Sequence, residues 1–168
     1  MSTSARFPGV TIAFAAVLLL FTLPATSEQT MITIPAAESF LQEMERAAAA
    51  RDMDQWARYV APDCEITVYI RPGGKLRAVR LSRSEYMEMV GNLKARARDG
   101  NVKRTRSTTP FDIRLEDGAR RAVATVTVTE VVEYPGREPT KTVSNVTAHL
   151  EIRGGGLQAV RLSMISQE

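Results

Sequence analysis

The chain has 168 residues, of which 44% are apolar, and 22 basic against 19 acidic side chains give it a formal net charge of +3. This length and apolar share suit one domain with a hydrophobic core, which excludes a chain too polar to fold. The single cysteine, Cys64, excludes a fold that depends on internal disulfides.

The first 27 residues are predicted to be an export signal that precedes the domain. Arg6 gives a positive start, residues 10–21 form an apolar run, and residues 25–27 place small side chains at a cleavage site. The run is shorter than the about 20 apolar residues of a membrane span. We expect cleavage and a mature domain over residues 28–168 in the periplasm or outside the cell, without a membrane span; an uncleaved anchor is the alternative.

Two helices are predicted next. Thr33 is typical of an N-cap and Pro35 fits a first helical turn. One helical face then carries Phe40, Leu41, Met44, Ala47 and Ala48. Asp52 is predicted to cap a second helix, with Met53, Trp56 and Val60 on one side and Pro62 at its end.

A hairpin and a third helix follow. Residues 65–71 alternate between apolar and mixed side chains, residues 72–75 have the composition of a turn, and residues 76–81 form a second strand. Ser82 and Glu85 match a capping box. They predict a helix to about Gly100 with the buried stripe Tyr86, Met89, Val90, Leu93 and Ala97.

The rest of the chain is predicted to be sheet, with one strand ending at Leu115 and others over 119–134, 140–152 and 157–165. The order α-α-β-β-α-β-β-β-β favours α+β over α/β. It predicts three helices on a strongly curved, mainly antiparallel sheet of about six strands. Such a sheet forms a cystatin-like cone whose interior could hold a ligand.

Residues 50–56, ARDMDQW, and 59–64, YVAPDC, resemble the helix-to-strand passage of the nuclear transport factor 2-like superfamily. That superfamily includes ketosteroid isomerase, scytalone dehydratase, polyketide-cyclase relatives and domains that only bind. The element order extends the resemblance over residues 36–166. It implies the fold and leaves the function open, because this fold hosts unrelated activities.

The isomerase chemistry is not implied. The position of that family's catalytic aspartate carries Val68 here, and the position of its oxyanion tyrosine carries Met44. Valine cannot take a proton and methionine cannot donate a hydrogen bond. Dehydratase-like catalysis would need histidines in the cone, and this chain has only His149, which strand alternation places on the outward face.

Glu130 is the candidate catalytic residue, because it interrupts the apolar face of the strand over 119–134. One interpretation is an acid or base buried in the cone. The other, which we favour, is a bulge near the end of the strand that releases Glu130 to solvent. Cys64 is interpreted as a small buried residue and not as a nucleophile.

The predicted function is binding without catalysis, of a small apolar ligand in the cone or of a protein partner across the outer sheet face. The predicted pocket residues are Trp56, Tyr59, Tyr69, Tyr86, Val90, Val128 and Glu130. The first alternative is a cyclase, dehydratase or isomerase that uses Glu130 with a tyrosine such as Tyr69.

The second alternative is an anion- or envelope-surface-binding module that uses the basic segment 71–106, although we favour the interpretation of that segment as a solvated face. Nucleic acid is not expected as a partner, because Tyr86 is the segment's only aromatic residue. We expect no metal and no cofactor, and we expect a homodimer formed through the sheet.

Overall fold

The computed structural model describes residues 30–70, 75–96 and 102–167, except the side chains of residues 93–96. The helices are α1 (Ile34–Ala50), α2 (Met53–Tyr59) and α3 (Arg83–Arg96). The strands are β1 (Val60–Ile70), β2 (Arg77–Leu81), β3 (Lys103–Thr108), β4 (Asp112–Glu116), β5 (Arg121–Glu133), β6 (Thr140–Arg153) and β7 (Gly156–Gln167). The predicted signal, residues 1–27, and residues 72–74 of the predicted turn lie outside the described residues.

The helix starts follow the capping residues in the sequence. Thr33 accepts a hydrogen bond from the backbone N–H of Ala36 at 3.3 Å, and Asp52 accepts one from Gln55 at 3.0 Å. Ser82 and Glu85 form the reciprocal capping box, since each side chain accepts from the other's backbone N–H, at 3.2 and 2.7 Å. These contacts satisfy donors that have no partner within the helix, so all three predicted caps are confirmed.

The strands form one sheet in the order β2-β1-β7-β6-β5-β3, with β4 also paired to β5. Only β1 and β7 run parallel among the described pairs. The α+β class and the mainly antiparallel sheet are therefore confirmed. The strand number is seven and not about six, because Thr109 and Pro110 divide the predicted third strand into β3 and β4. Pro110 has no N–H to give to the ladder.

The junction of α2 and β1 differs from the prediction. We expected Pro62 to end the second helix, but α2 ends at Tyr59 and Pro62 lies inside β1. The pairing of β1 with β7 shifts in register between Val60 and Glu65. This irregularity accommodates a proline, which is tolerated in a strand at such places.

The core lies between α1, α2 and one end of the sheet. Helix α1 buries Ala37, Leu41, Met44 and Ala47. Strands β5, β6 and β7 contribute mostly small side chains to the same cluster, namely Ala122, Ala124, Ala148, Leu150, Ala159 and Leu162. In the described part of the chain, no helix is long and apolar enough to cross a membrane.

Candidate functional site

A cavity of about 360 Å³ adjoins this core through Trp56 and extends to the other end of β5 and β6. Its walls come from the last turn of α1, from α2 and α3, and from β3, β5, β6 and β7. The described lining residues are Ala48, Ala49, Arg51, Met53, Trp56, Tyr86, Met89, Val90, Arg104, Arg106, Glu130, Thr142, Ser144 and Ser166. The helical wall is mainly apolar, whereas the sheet wall is polar and charged.

The apolar wall is centred on two aromatic side chains. The rings of Trp56 and Tyr86 lie 5.1 Å apart between centroids, with 37° between their planes, and Met53, Met89 and Val90 extend the wall. Burial raises the pKa of the Tyr86 hydroxyl, with the charge of Arg106 opposing that rise. Tyr86 donates to the sulfur of Met164 at 3.7 Å, so it is a neutral, anchored phenol at neutral pH.

Glu130 is at the centre of the charged wall. Its Oε1 accepts a hydrogen bond from Arg104 at 3.2 Å and lies 3.9 Å from a guanidinium nitrogen of Arg51. The side chain is 29% exposed. The pairing of β5 with β6 runs without a register shift from Arg121 to Val132. The bulge that we favoured is therefore wrong, and Glu130 keeps its inward position in the regular strand.

A second ion pair adjoins the first. Arg106 on β3 donates to both carboxylate oxygens of Glu45 on α1, at 2.5 and 3.0 Å. Burial works to lower the pKa of Arg106, but the hydrogen bond and charge of Glu45 outweigh it and raise that pKa. The pair thus ties α1 to the sheet beside the cavity.

The inward arginines were not predicted from the sequence, because Arg104 and Arg106 were interpreted as part of the solvated basic segment 71–106. They are two residues apart on a strand, so they share a face. Arg106 is directly opposite Glu130 in the pairing of β3 with β5. The alternation was visible in the sequence, but the pairing that turns this face inward is a tertiary feature.

Four of the seven predicted pocket residues line the cavity, namely Trp56, Tyr86, Val90 and Glu130. The other three are elsewhere. Tyr59 packs edge-on against Phe40, with ring centroids 5.4 Å apart, and Val128 is buried at 3% exposure. Tyr69 is three residues from the core residue Ile66 on β1, so strand alternation places it on the opposite, outer face.

The proposed catalytic pair of Glu130 with Tyr69 is not brought together, because the two side chains are on opposite faces of the sheet. Tyr86 is the tyrosine that shares the cavity with Glu130. Met44 and Val68, at the positions of the isomerase residues, belong to or pack against the core cluster. Neither is among the lining residues, and neither has the chemistry that those positions would need.

His149 lies on the outer face, as strand alternation predicts. It pairs with Val123 and Arg161 in the ladder and borders a second cavity, of about 290 Å³, whose lining is mostly ionic. There Arg153 bridges Asp63 at 2.6 Å and Glu151 at 3.2 Å. These carboxylates and guanidiniums are largely paired with each other, and His149 is remote from Glu130.

Cys64 fits its structural interpretation. Its side chain belongs to the core and is 3% exposed. Burial, and then the negative charge of Asp63, raise its pKa to about 11. A nucleophilic cysteine needs a thiolate, which a lowered pKa supplies. Cys64 is therefore a protonated core residue at neutral pH.

The basic segment is not one surface. Lys75 and Arg77 are exposed, whereas Arg83 donates to the backbone carbonyls of Ala57 and Val60 at 3.0 and 2.9 Å. Arg71 and Arg98 lie outside the described residues, as do the side chains of Lys94 and Arg96. No group of three or more potential metal ligands occurs among the residues that the structure describes.

These elements define a curved sheet covered by three helices, with a cavity at its open end: the nuclear transport factor 2-like fold. No protein-family model matches the chain, and no curated protein is similar to it in sequence.

Solved structures share the fold. The beta subunit of benzoate 1,2-dioxygenase from Burkholderia mallei is similar over 81% of this chain and 91% of its own, with a TM-score of 0.62 and 10% identity. A nuclear transport factor 2-like protein from Cytophaga hutchinsonii matches 82% of this chain and 100% of its own, with a TM-score of 0.59 and 11% identity.

A ketosteroid isomerase-like protein from Erwinia carotovora atroseptica covers 82% of this chain and 99% of its own, at a TM-score of 0.57 and 11% identity. The resemblance drawn from residues 50–64 is confirmed at the level of the fold. At these identities the likeness concerns the fold alone.

Proposed function

We propose that this domain binds a small organic molecule in the cavity beside Trp56 and does not transform it. The observation that carries the proposal is the cavity itself: about 360 Å³ of space between an aromatic wall and a polar one. Ligand pockets in proteins have volumes of roughly 300–1,000 Å³ and combine apolar walls with a few polar groups. This volume suits a ligand of one or two rings.

Binding is favoured over catalysis by the contacts of Glu130. Its carboxylate oxygen accepts a hydrogen bond from Arg104 and lies 3.9 Å from Arg51, so it is engaged by guanidinium groups. Among the described lining residues there is no histidine, cysteine or lysine that could take its place.

The proposal is tested with N-phenyl-1-naphthylamine, an uncharged dye whose emission rises in apolar surroundings. Trp56 is the only tryptophan and lines the cavity, so a bound dye would receive excitation energy from it. We expect saturable binding at one site with quenching of Trp56. The variant Trp56→Phe should abolish the energy transfer while the dye still brightens on direct excitation.

A blocking variant separates the cavity from other apolar surface. Val90→Trp places a large ring in the cavity and should remove dye binding. Val79→Trp is the matched control, because Val79 lies on β2, is 37% exposed and is not among the lining residues. The proposal fails if the unaltered protein does not bind the dye, or if Val90→Trp binds it as the unaltered protein does.

A protein partner remains the second candidate, and a second copy of this chain is the partner we propose. The outer sheet face carries Thr125, Thr129, Thr147 and Ser163, and a similar solved structure is by its name a subunit of a larger enzyme. Analytical ultracentrifugation should give twice the chain mass. A dimer that Thr147→Arg leaves intact would place the contact elsewhere.

Export is proposed from the sequence alone. Expression in a bacterium with the natural start, followed by N-terminal sequencing of the product, should give Glu28 as the first residue of a periplasmic protein. A cytoplasmic product that begins at Met1 would contradict this proposal.

The anion-surface alternative is tested by retention on heparin, which should be lost when Arg96 and Arg98 are reversed in charge. Retention that does not change with salt concentration, or no retention at all, would remove this alternative.

A further inference from the structure

The apolar wall of the cavity contains two thioether side chains. Met53 on α2 and Met89 on α3 line it, together with Trp56, Tyr86 and Val90. Methionine is flexible and its sulfur is polarizable, so it adapts to the shape of an apolar or aromatic neighbour. The same sulfur can be oxidised, which makes it the chemically reactive part of this wall.

Solvent exposure separates the described methionines. Met31 is 57% exposed and Met89 is 37% exposed. The others are buried or partly buried, namely Met44, Met53, Met87 and Met164. Met31 precedes α1 and is not among the lining residues. Met89 is therefore the exposed methionine of the cavity wall, and Met31 is an exposed methionine outside it.

The single cysteine does not compete with Met89 for an oxidant. Cys64 is 3% exposed, and burial raises its pKa to about 11. Oxidants react with the thiolate, so a buried and protonated thiol is slow to react. The second copy that we propose on the outer sheet face would also leave Met89 accessible, because α3 covers the inner face.

Oxidation would change what this wall binds. The sulfur of Met89 attacks one oxygen of hydrogen peroxide, the O–O bond breaks, and the sulfoxide forms with release of one water. The sulfur is oxidised by two electrons and the peroxide is reduced by two. The sulfoxide oxygen is polar, and an apolar ligand packed over it would take it out of water without a hydrogen-bond donor, which costs free energy.

We propose that Met89 is an oxidation site that regulates the cavity: its sulfoxide lowers the affinity for apolar ligands, and reduction of the sulfoxide restores it. This inference rests on the proposed function and adds a regulation to the same site. The reverse step needs a dithiol, which removes the oxygen as water and becomes a disulfide. Methionine sulfoxide reductases catalyse that step, one enzyme for each epimer.

Limited oxidation with hydrogen peroxide, stopped with catalase, tests the proposal. Peptide mass spectrometry locates the sulfoxides, and N-phenyl-1-naphthylamine, excited directly, reports the affinity of the cavity. We expect Met31 and Met89 to be oxidised before the other described methionines, and the affinity for the dye to fall by about fivefold or more. Both reductases together with dithiothreitol should restore the affinity.

Two leucine variants assign the effect to one residue, because leucine has a volume close to that of methionine and no sulfur. Met89→Leu should keep its affinity for the dye after the same oxidation. Met31→Leu is the matched control and should lose affinity as the unaltered protein does. Circular dichroism before and after oxidation verifies that each protein is folded.

Failure of this inference is distinguishable from failure of the proposed function. If the dye binds before oxidation, but Met89 sulfoxide forms without lowering the affinity, the oxidation site is overturned and the proposed function stands. The same holds if Met89→Leu loses affinity as the unaltered protein does, or if Met89 stays unoxidised after Met31 has reacted. If the unoxidised, unaltered protein does not bind the dye, the proposed function itself is overturned.

Discussion

The two ends of β5, β6 and β7 present different chemistry on the same face of the sheet. At the covered end, the inward positions are Ala122, Ala124, Ala148, Leu150, Ala159 and Leu162, all at most 3% exposed. At the open end, the inward positions are Glu130, Thr142, Ser144 and Ser166, which line the cavity. The difference follows from α1, whose buried face ends at Ala47 and whose last residues border the cavity.

This comparison separates stability from binding along a single set of strands. Apolar burial at the covered end contributes most of the free energy of folding. Charges at the open end are partly exposed, and ion pairs of that kind contribute only about 0–1 kcal/mol. Changes at the covered end should therefore affect unfolding, whereas changes at the open end should affect what the cavity holds.

The largest expected effect is a truncation at the covered end. Leu150 is completely buried, so Leu150→Ala removes packed atoms and leaves a cavity, which should lower the free energy of unfolding by about 2–5 kcal/mol. Met89→Ala is the control at the open end, where the side chain is 37% exposed; it should cost less than about 1 kcal/mol. Urea denaturation measures both, and equal losses would contradict the comparison.

Cys64 should make the covered end sensitive to alkali. Its pKa is raised from an ordinary value of 9.0 to about 11 by burial. A raised value in the folded state means that stability is complete below pH 9 and is lost as the pH rises through 11. The loss should approach about 3 kcal/mol.

Urea denaturation between pH 8 and 11 measures this loss, and Cys64→Ala should remove that part of the pH dependence. In the native protein at pH 8 the thiol should also resist Ellman's reagent. The assignment is contradicted if the variant and the unaltered protein lose stability in parallel.

A smaller effect is expected where the helices meet the sheet. Arg83 donates to two backbone carbonyls, of Ala57 and Val60. Arg83→Met leaves those acceptors without this donor and should lower the free energy of unfolding by about 1–3 kcal/mol. Arg80→Met is the matched control, because Arg80 is 81% exposed and forms only a loose ion pair with Glu65 at 3.6 Å; it should change stability by less than about 0.5 kcal/mol.

The smallest effect concerns Arg51 at the open end. Glycine accepts its left-handed backbone without strain, whereas alanine retains a side chain in that conformation. Arg51→Gly should therefore be about 1 kcal/mol more stable than Arg51→Ala, and close to the unaltered protein. Thermal and urea denaturation compare the two variants. An alanine variant as stable as the glycine variant would show that the position is not strained.

The sequence predicted the fold through signals that act over a few residues. Thr33, Asp52 and the Ser82–Glu85 box marked the helix starts, because a capping contact spans only three residues. Alternation placed Glu130 inward and His149 outward. The same local reasoning failed at Pro62 and at Pro110, where pairing with neighbouring strands decided how each proline was accommodated.

The candidate site was predicted only in part. Trp56, Tyr86, Val90 and Glu130 were expected in the cavity, whereas Tyr59, Tyr69 and Val128 were not separated from them. Proximity along the chain did not show which aromatic side chains face the core, the cavity or the outside. A sequence yields the face on which a residue lies, but the distance along that face to the edge of the core depends on where the covering helix ends.

The sequence by itself determined the caps, the strand alternation and the order of elements, and these fixed the nuclear transport factor 2-like fold. The charge of the cavity was decided by the tertiary structure. Arg51, Arg104 and Glu130 are far apart in the chain, and they meet because β3 pairs with β5 beside the last turn of α1. Electrostatic interactions depend on the distance between charges in space, so these contacts form only when the strands have paired and α1 has packed beside them.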